Sequence, residues 1–433
     1  MIAADDLDRS VGMEYLITDT PGCGGSIKGS AGDFVVSEVF PDLPYEGGRY
    51  LVLEVEKTNW DTHRLIREMA RQLRISQKRF AWAGTKDKRA VTSQRISIMN
   101  LDEQALDCLH LPDLKIRVLG RTNRSVGLGD LLGNRFRIVI RDLSCPDPAI
   151  RMEQITEQIK RLRGVPNYFG LQRFGERRPV THLVGEAMAK GRMEEAVFIY
   201  LAMPFPAEPE QTRLARERLW AERDVREALK YFPEYLNFEL AVMNYLAEHP
   251  QDYARSFDVL SANLKRLFVH AYQSYLFNKI LSRRLAAGLS VHEAVPGDVV
   301  CFSKDGRPDM GRLQTADEES LAAINRLAER GRAYVTLPLI GYDTALADGR
   351  EAQGRIERQV MAEEGMTAES FRIEENPGLG SRGTRRAALC PVEPQIRVEE
   401  GRAEMQFVLP KGSYATVVLR EYMKEKRSEL AGE

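Results

Sequence analysis

Gly84-Thr85-Lys86-Asp87-Lys88-Arg89-Ala90-Val91-Thr92-Ser93-Gln94 places one carboxylate among Lys86, Lys88 and Arg89. Residues 80–83 and 94–99 on either side read as short strands, so the block predicts a charged loop between them. Basic residues also crowd the approach: Arg64, Arg67, Arg71, Arg74, Lys78 and Arg79 precede the loop, Arg95 follows it, and only Glu68 and Asp87 oppose them between residues 64 and 95. A field of that sign attracts polyanions, nucleic acid foremost.

Working outward, residues 50–57 alternate, with Leu51, Leu53 and Val55 on one face and Glu54 and Glu56 on the other. That is the period of a half-buried strand. Asp61 is placed to cap a helix running to about Leu73, whose apolar stripe is Leu65, Ile66, Met69, Ala70 and Leu73. Residues 134–141 alternate Phe136, Ile138 and Ile140 with arginines and predict another strand. The middle of the chain changes character. Residues 181–203, 211–231 and 260–287 read as helices, with Gly288 a stop for the last. Residues 297–302 and 405–409 return to strand pattern, and Ser413 is placed to cap a final helix through Met423. The Gly/Arg/Pro-rich stretch 376–391 reads as a linker. Strand-rich ends around a helix-rich middle predict an α+β fold, a domain interrupted by an inserted helical one.

The totals narrow the function classes. With 433 residues and a net charge of −1, the chain is long enough for two or three domains and is not basic throughout, so any nucleic-acid site is a local patch. Cys23, Cys108, Cys145, Cys301 and Cys390 form no C-x-x-C pair and read as reduced thiols of a cytoplasmic protein. The six histidines are dispersed, no zinc or hydrolase signature occurs, and no metal site is expected. The acidic start, residues 1–10, has no apolar core of a leader, and no apolar run is long enough to span a bilayer.

Five constellations carry possible chemistry. Asp87 is either an Asx residue shaping a turn or a working carboxylate. In Pro21-Gly22-Cys23-Gly24-Gly25-Ser26-Ile27-Lys28 the glycines fit neither phosphate-loop spacing and read as a turn into a strand, while Lys28 is either a surface lysine or an anion contact. Asn134 and Phe136 share a strand face, an amide beside an aromatic, which suits either a core or a planar base. Residues 164–175, Gly-Val-Pro-Asn-Tyr-Phe-Gly-Leu-Gln-Arg-Phe-Gly, suit either a packed junction or base stacking with Arg173 on phosphate. Arg382, Arg385 and Arg386 in a glycine loop are either solvated or a phosphate clamp.

Taken in order, these blocks resemble the TruD family of pseudouridine synthases. The match includes Gly-Cys-Gly-Gly-x-Ile-Lys with Asp-Phe-x-Val-x-Glu, residues 84–94, Asn134-Arg135-Phe136 and the 164–175 block. It continues through Ala271-Tyr272-Gln273-Ser274-Tyr275-Leu276-Phe277-Asn278 and Phe407-Val408-Leu409-Pro410-Lys411-Gly412-Ser413-Tyr414-Ala415-Thr416. One departure is Ala31-Gly32, where the family often has Pro-Glu. The resemblance implies a catalytic domain of antiparallel-rich mixed sheets and flanking helices, built from residues 1–175 and 376–433. Residues 176–375, or about 165–390 in the family's own bounds, would form a helix-rich TRUD domain facing the catalytic cleft. It implies isomerisation of uridine to pseudouridine, typically uridine-13 of tRNA, without cofactor or metal and without an obligate protein partner. By position, Asp87 matches the essential aspartate and Lys28 the lysine that pairs with it. Phe136 matches the aromatic that stacks on the target base, and Asn134 the amide beside it. Phe34 and Tyr414 match aromatics lining the uridine pocket. Arg173, Arg382, Arg385, Lys86 and Arg89 are expected as phosphate contacts only. The rival readings are a non-catalytic RNA-binding module, which leaves Asp87 without a role, a metal-dependent nuclease, which needs clustered carboxylates, and a helical scaffold.

Overall fold

The computed structural model describes residues 1–41, 44–127, 130–304, 306–373 and 377–424. The chain divides into two compact units, one of Thr18–Val165 with the segment from Cys390, the other of Met1–Ile17 with Pro166–Leu389. The breaks fall at 165/166 and 389/390, beside the family bounds of about 165–390 and some ten to fourteen residues from 175/176 and 375/376. The first residues also leave the unit they were expected to join. Asn278 donates to the Val11 carbonyl and Ser282 to that of Gly12, which ties them to the long middle helix.

The first unit is built on an eight-stranded sheet. Its strands are β1 (Phe34–Val39), β2 (Tyr50–Thr58), β3 (Phe80–Trp82), β4 (Val91–Met99), β5 (Leu114–Thr122), β6 (Gly133–Arg141), β7 (Gln395–Glu399) and β8 (Arg402–Pro410). The order is β7-β8-β6-β1-β4-β2-β5, with β3 paired to β4. Only β1 and β4 run parallel; the other pairs are antiparallel. Segments far apart in sequence thus meet at the middle of one sheet. Asn134 lies between Glu38 and Leu409, and Phe136 between Val36 and Phe407.

Alternation in β2 sorts its residues as their polarity demands. Leu51, Leu53 and Val55 are fully buried, while Glu54 and Glu56 meet Arg117 and Lys115 of β5 across the strand at 2.7 and 2.8 Å. Helix α1 (Thr62–Gln72) starts where expected, its N-cap Asp61 accepting the Arg64 amide at 3.0 Å. Leu65, Ile66, Met69 and Ala70 close over Leu51, Leu53, Val55, Ile96 and Ile98. Burial of each of Leu65, Ile66 and Met69 stabilises the unit by about 1.5–3 kcal/mol. Helices α2 (Pro148–Arg161) and α3 (Ala415–Met423) complete the unit, joined by a 2.9 Å hydrogen bond between Thr156 and Tyr422. Tyr414, not Ser413, occupies the cap position of α3.

The second unit is helix-rich. The expected 181–203 helix is two, Thr181–Ala189 and Met193–Ala202, parted by Gly191 at φ +70°. The expected 211–231 helix ends at Glu222, where Arg223 turns left-handed at φ +56°. The helix Ala262–Ala286 is the spine, with Gly288 at φ +71° just beyond it. The described part of 376–391 is no linker: Thr384–Ala387 pairs with Ala333–Leu339 in a four-stranded sheet. All five cysteines are free thiols.

Candidate active site

The glycines before Lys28 are there for close packing. A Cβ on Gly22 would meet the Met423 carbonyl oxygen at 2.1 Å, and one on Gly25 the Arg141 oxygen at 2.6 Å. Cys23 and Gly24 donate their amides to the carbonyls of Tyr422 and Met423, and Ser26 bridges to Arg141. Lys28 itself is left-handed, at φ +61°. The turn that follows is closed by Asp33, which accepts the Ser30 amide at 2.7 Å and a bidentate pair from Arg141 at 2.9 and 2.7 Å. The Arg141 guanidinium holds the Asp33 carboxyl down to about 2. Ala31-Gly32, the departure from the family pattern, lies in the short 3-10 turn Ala31–Asp33 and leaves this anchor intact.

From that anchor the Lys28 side chain reaches the loop between β3 and β4. Its Nζ donates to Asp87 Oδ2 at 3.2 Å and stands 4.7 Å from the centroid of the Phe34 ring. Phe34 meets Phe136 edge-on at 6.3 Å, and Phe136 stacks on Phe407 at 5.5 Å. Carboxylate, ammonium and three aromatics thus form one continuous run within a single unit. Asp87 is 48% exposed and Lys28 18%, so the carboxylate is open to a ligand while its cation is sheltered. Phe136 is only 7% exposed, with Phe407 on one face and Phe34 at its side, and is as much a core residue as a platform. Asn134 sits on the same face of β6, and its Oδ1 is buried with no donor among the described residues. Tyr414 is half-buried at the head of α3, just past the strand that pairs with Asn134.

The Asp87 loop is held from below. The Lys86 amide donates to Thr62 Oγ1 at 3.1 Å, and Thr62 donates on to Gln94 at 3.1 Å. Lys57, fully buried, donates to the Asp87 carbonyl at 3.2 Å and to the Trp60 carbonyl at 2.5 Å. The Lys86 ammonium is also spent internally, 2.6 Å from Glu38. Both side chains are nearly inaccessible, and burial pushes the Glu38 carboxyl up while Lys86 and the Arg95 amide oppose the shift. Lys86 is therefore a brace of the loop and not the phosphate contact expected. Arg89 and Lys88 are exposed on the same loop.

Of the other expected phosphate contacts, three belong to the second unit. Arg385, expected at a phosphate, is instead 7% exposed and donates to Thr336, Ala345 and Glu357, so its guanidinium braces the four-stranded sheet. Burial pushes its pKa down. Arg173 donates to Ser274 at 3.2 Å, and Arg382 is 79% exposed near Asp343. Arg386 lies over the Phe169 ring and donates to Asn167. Lys57, Glu38 and Phe407 were not expected at the site. A signal for Lys57 was present, since the period that buries Leu51, Leu53 and Val55 puts residue 57 on the same inward face. Among the described residues no group of three or more His, Cys, Asp or Glu side chains could hold a metal ion, and no helix is long and apolar enough to cross a membrane.

Residues 10–422 match the family model described as tRNA pseudouridine synthase D (TruD). A protein of Methanosarcina barkeri named "Probable tRNA pseudouridine synthase D" is 47% identical over 97% of this chain and 98% of its own. One of Thermococcus sibiricus with the same name is 38% identical over 94% and 97%. A crystal structure from Methanosarcina mazei, assigned to tRNA pseudouridine synthase D, superposes with a TM-score of 0.85 at 45% identity, covering 98% of this chain and 99% of that one.

Proposed function

The chain belongs to the TruD family of tRNA pseudouridine synthases, and from that premise we propose that it converts uridine-13 of tRNA to pseudouridine with Asp87 as the catalytic carboxylate. The reaction is an isomerisation. The N1–C1′ bond breaks, the uracil turns, C5 joins C1′, and the proton displaced from C5 is balanced by one gained at N1. No electrons are exchanged with a partner, so the chemistry asks for a charged group at the sugar, a place to hold a detached base and exclusion of water.

The single observation that carries this reading is the run from Asp87 through Lys28 to Phe34, Phe136 and Phe407, assembled from four distant stretches of chain. Lys28 keeps a negative charge on Asp87 favourable as a nucleotide covers it. Extracting the nucleotide costs a few kcal/mol. Contact with an aromatic rim returns about 1–3 kcal/mol of that. Asn134 Oδ1, which has no donor among the described residues, is an acceptor suited to the N3–H of uracil, which cytosine lacks. Asp87 acts on the nucleoside as nucleophile or base. We assign residues 18–165 and 390–424 as the catalytic domain and 166–389 as the inserted TRUD domain.

The test is a nucleoside-resolution map of pseudouridine in unmodified tRNA after incubation with the protein. Pseudouridine at position 13, and none when that uridine is replaced by cytidine, is the expected result. Modification only at other uridines would overturn the site assignment, and no modification in any tRNA would overturn the activity.

A further inference from the structure

The floor beneath Asp87 contains a charge that the chemistry above does not use. Lys57 ends the inward row of β2, after Leu51, Leu53 and Val55, and its side chain is fully buried. An apolar residue would fill this place without the cost of burying an ammonium. No carboxylate pairs with it among the described residues; its hydrogen bonds go to two main-chain carbonyls, of Trp60 at 2.5 Å and of Asp87 at 3.2 Å. The first fixes the turn that leads into α1, whose Thr62 takes the Lys86 amide. The second fixes the residue that carries the carboxylate. Asp87 is thereby gripped at both ends of its peptide neighbourhood from inside the protein, while Lys28 holds its side chain from outside.

We propose that Lys57 is a positioning residue for catalysis, holding the Asp87 main chain and setting a second positive charge behind it. The inference rests on the reading of Asp87 as the catalytic carboxylate. The charged groups whose fields reach Lys57 are Asp61 at the head of α1 and Asp87 and Lys86 in the loop; its register partners, Thr92 of β4 and Leu114 of β5, are neutral. Burial pulls the Lys57 ammonium down to about 8, against the pull of Asp61 and Asp87. The positive charge is therefore present at neutral pH and is lost as pH rises through about 8. A neutral amine can keep its two carbonyl bonds, so what disappears above that pH is the charge behind Asp87.

The test compares single-turnover rates on a tRNA transcript, from pH 6 upward on a rough grid, together with tRNA affinity, for the wild type, Lys57→Met and Lys57→Arg. The wild-type rate is expected to fall on the alkaline side with a midpoint of about 8. Lys57→Met should lower the rate at neutral pH by on the order of a hundredfold, leave tRNA affinity unchanged and abolish the alkaline fall. Lys57→Arg, charged throughout, should recover part of the rate and also lack the fall. Wild-type turnover in Lys57→Met, or parallel loss of turnover and tRNA affinity, would overturn the proposal. If Lys57→Met does not fold, the profiles decide: an alkaline fall that Lys57→Arg removes supports it, and a wild-type profile flat well past pH 8 overturns it. An inert Asp87→Asn beside a fully active Lys57→Met would sink this inference alone, whereas an active Asp87→Asn would remove the reading beneath it.

Discussion

Asn134 offers a buried acceptor with no donor among the described residues, next to a phenylalanine that is already packed, and the two predict opposite mutational signatures. Removing an oxygen that has no partner costs the free protein nothing. Asn134→Ala should therefore unfold at the same temperature as the wild type, or slightly higher, while uridine turnover drops. A clear loss of thermal stability would show that the amide is structural. Phe136 behaves the other way because Phe407 and Phe34 pack on it. Phe136→Ala should lower the unfolding free energy by about 3–5 kcal/mol in a denaturant titration. Phe136→Leu retains most of the volume and should separate fold from turnover, being nearly as stable and much slower. Equal stability of the wild type and Phe136→Ala would mean that the ring is not part of the core.

At the scale of elements, the turn from Gly22 to Asp33 decides where Lys28 points, and Asp33 is its fastening. Its carboxyl is held down to about 2 by Arg141, so the stabilisation is complete above the ordinary carboxylate range and is lost as pH falls from about 4 toward 2. Thermal melts should show that acid-side loss in the wild type. Asp33→Asn should melt lower at neutral pH and show a weaker dependence below about pH 4; an unchanged profile would remove Asp33 from this role. Elements such as this were readable from the chain when a local rule fixed them. The Asp61 cap, the alternation of β2 and β6 and the Gly288 stop depend on neighbours in sequence, and the structure has them. The break at Gly191 carried the same local glycine signal as Gly288, whereas the left-handed Arg223 and the strand inside the supposed linker follow no such local rule. The same divide runs through the site. Family likeness put Asp87, Lys28, Phe34 and Phe136 together, and the coordinates join them. Charge and glycine content alone misplaced Lys86 and Arg385, whose carboxylate partners, Glu38 and Glu357, are remote in sequence.

For the whole molecule, near-neutral totals conceal a local field. Arg64, Arg67, Arg74, Lys78, Lys88 and Arg89 are exposed on α1 and the segments that follow it, on the same unit as Asp87. Each contact with phosphate releases counterions, so tRNA affinity should fall steeply with salt. Arg64→Ala combined with Arg67→Ala should weaken binding to every tRNA alike and lower the log–log salt slope by about 1–2. An unaltered slope would mean that this surface faces away from RNA. Affinity spread over such a surface and chemistry concentrated in one carboxylate should also be separable. The measurement that bears most directly on this is pseudouridine formation, read nucleoside by nucleoside in tRNA treated with the wild type or with Asp87→Asn, alongside the tRNA affinity of each. The account predicts that Asp87→Asn binds tRNA as the wild type does and forms no pseudouridine; substantial pseudouridine from Asp87→Asn would contradict it.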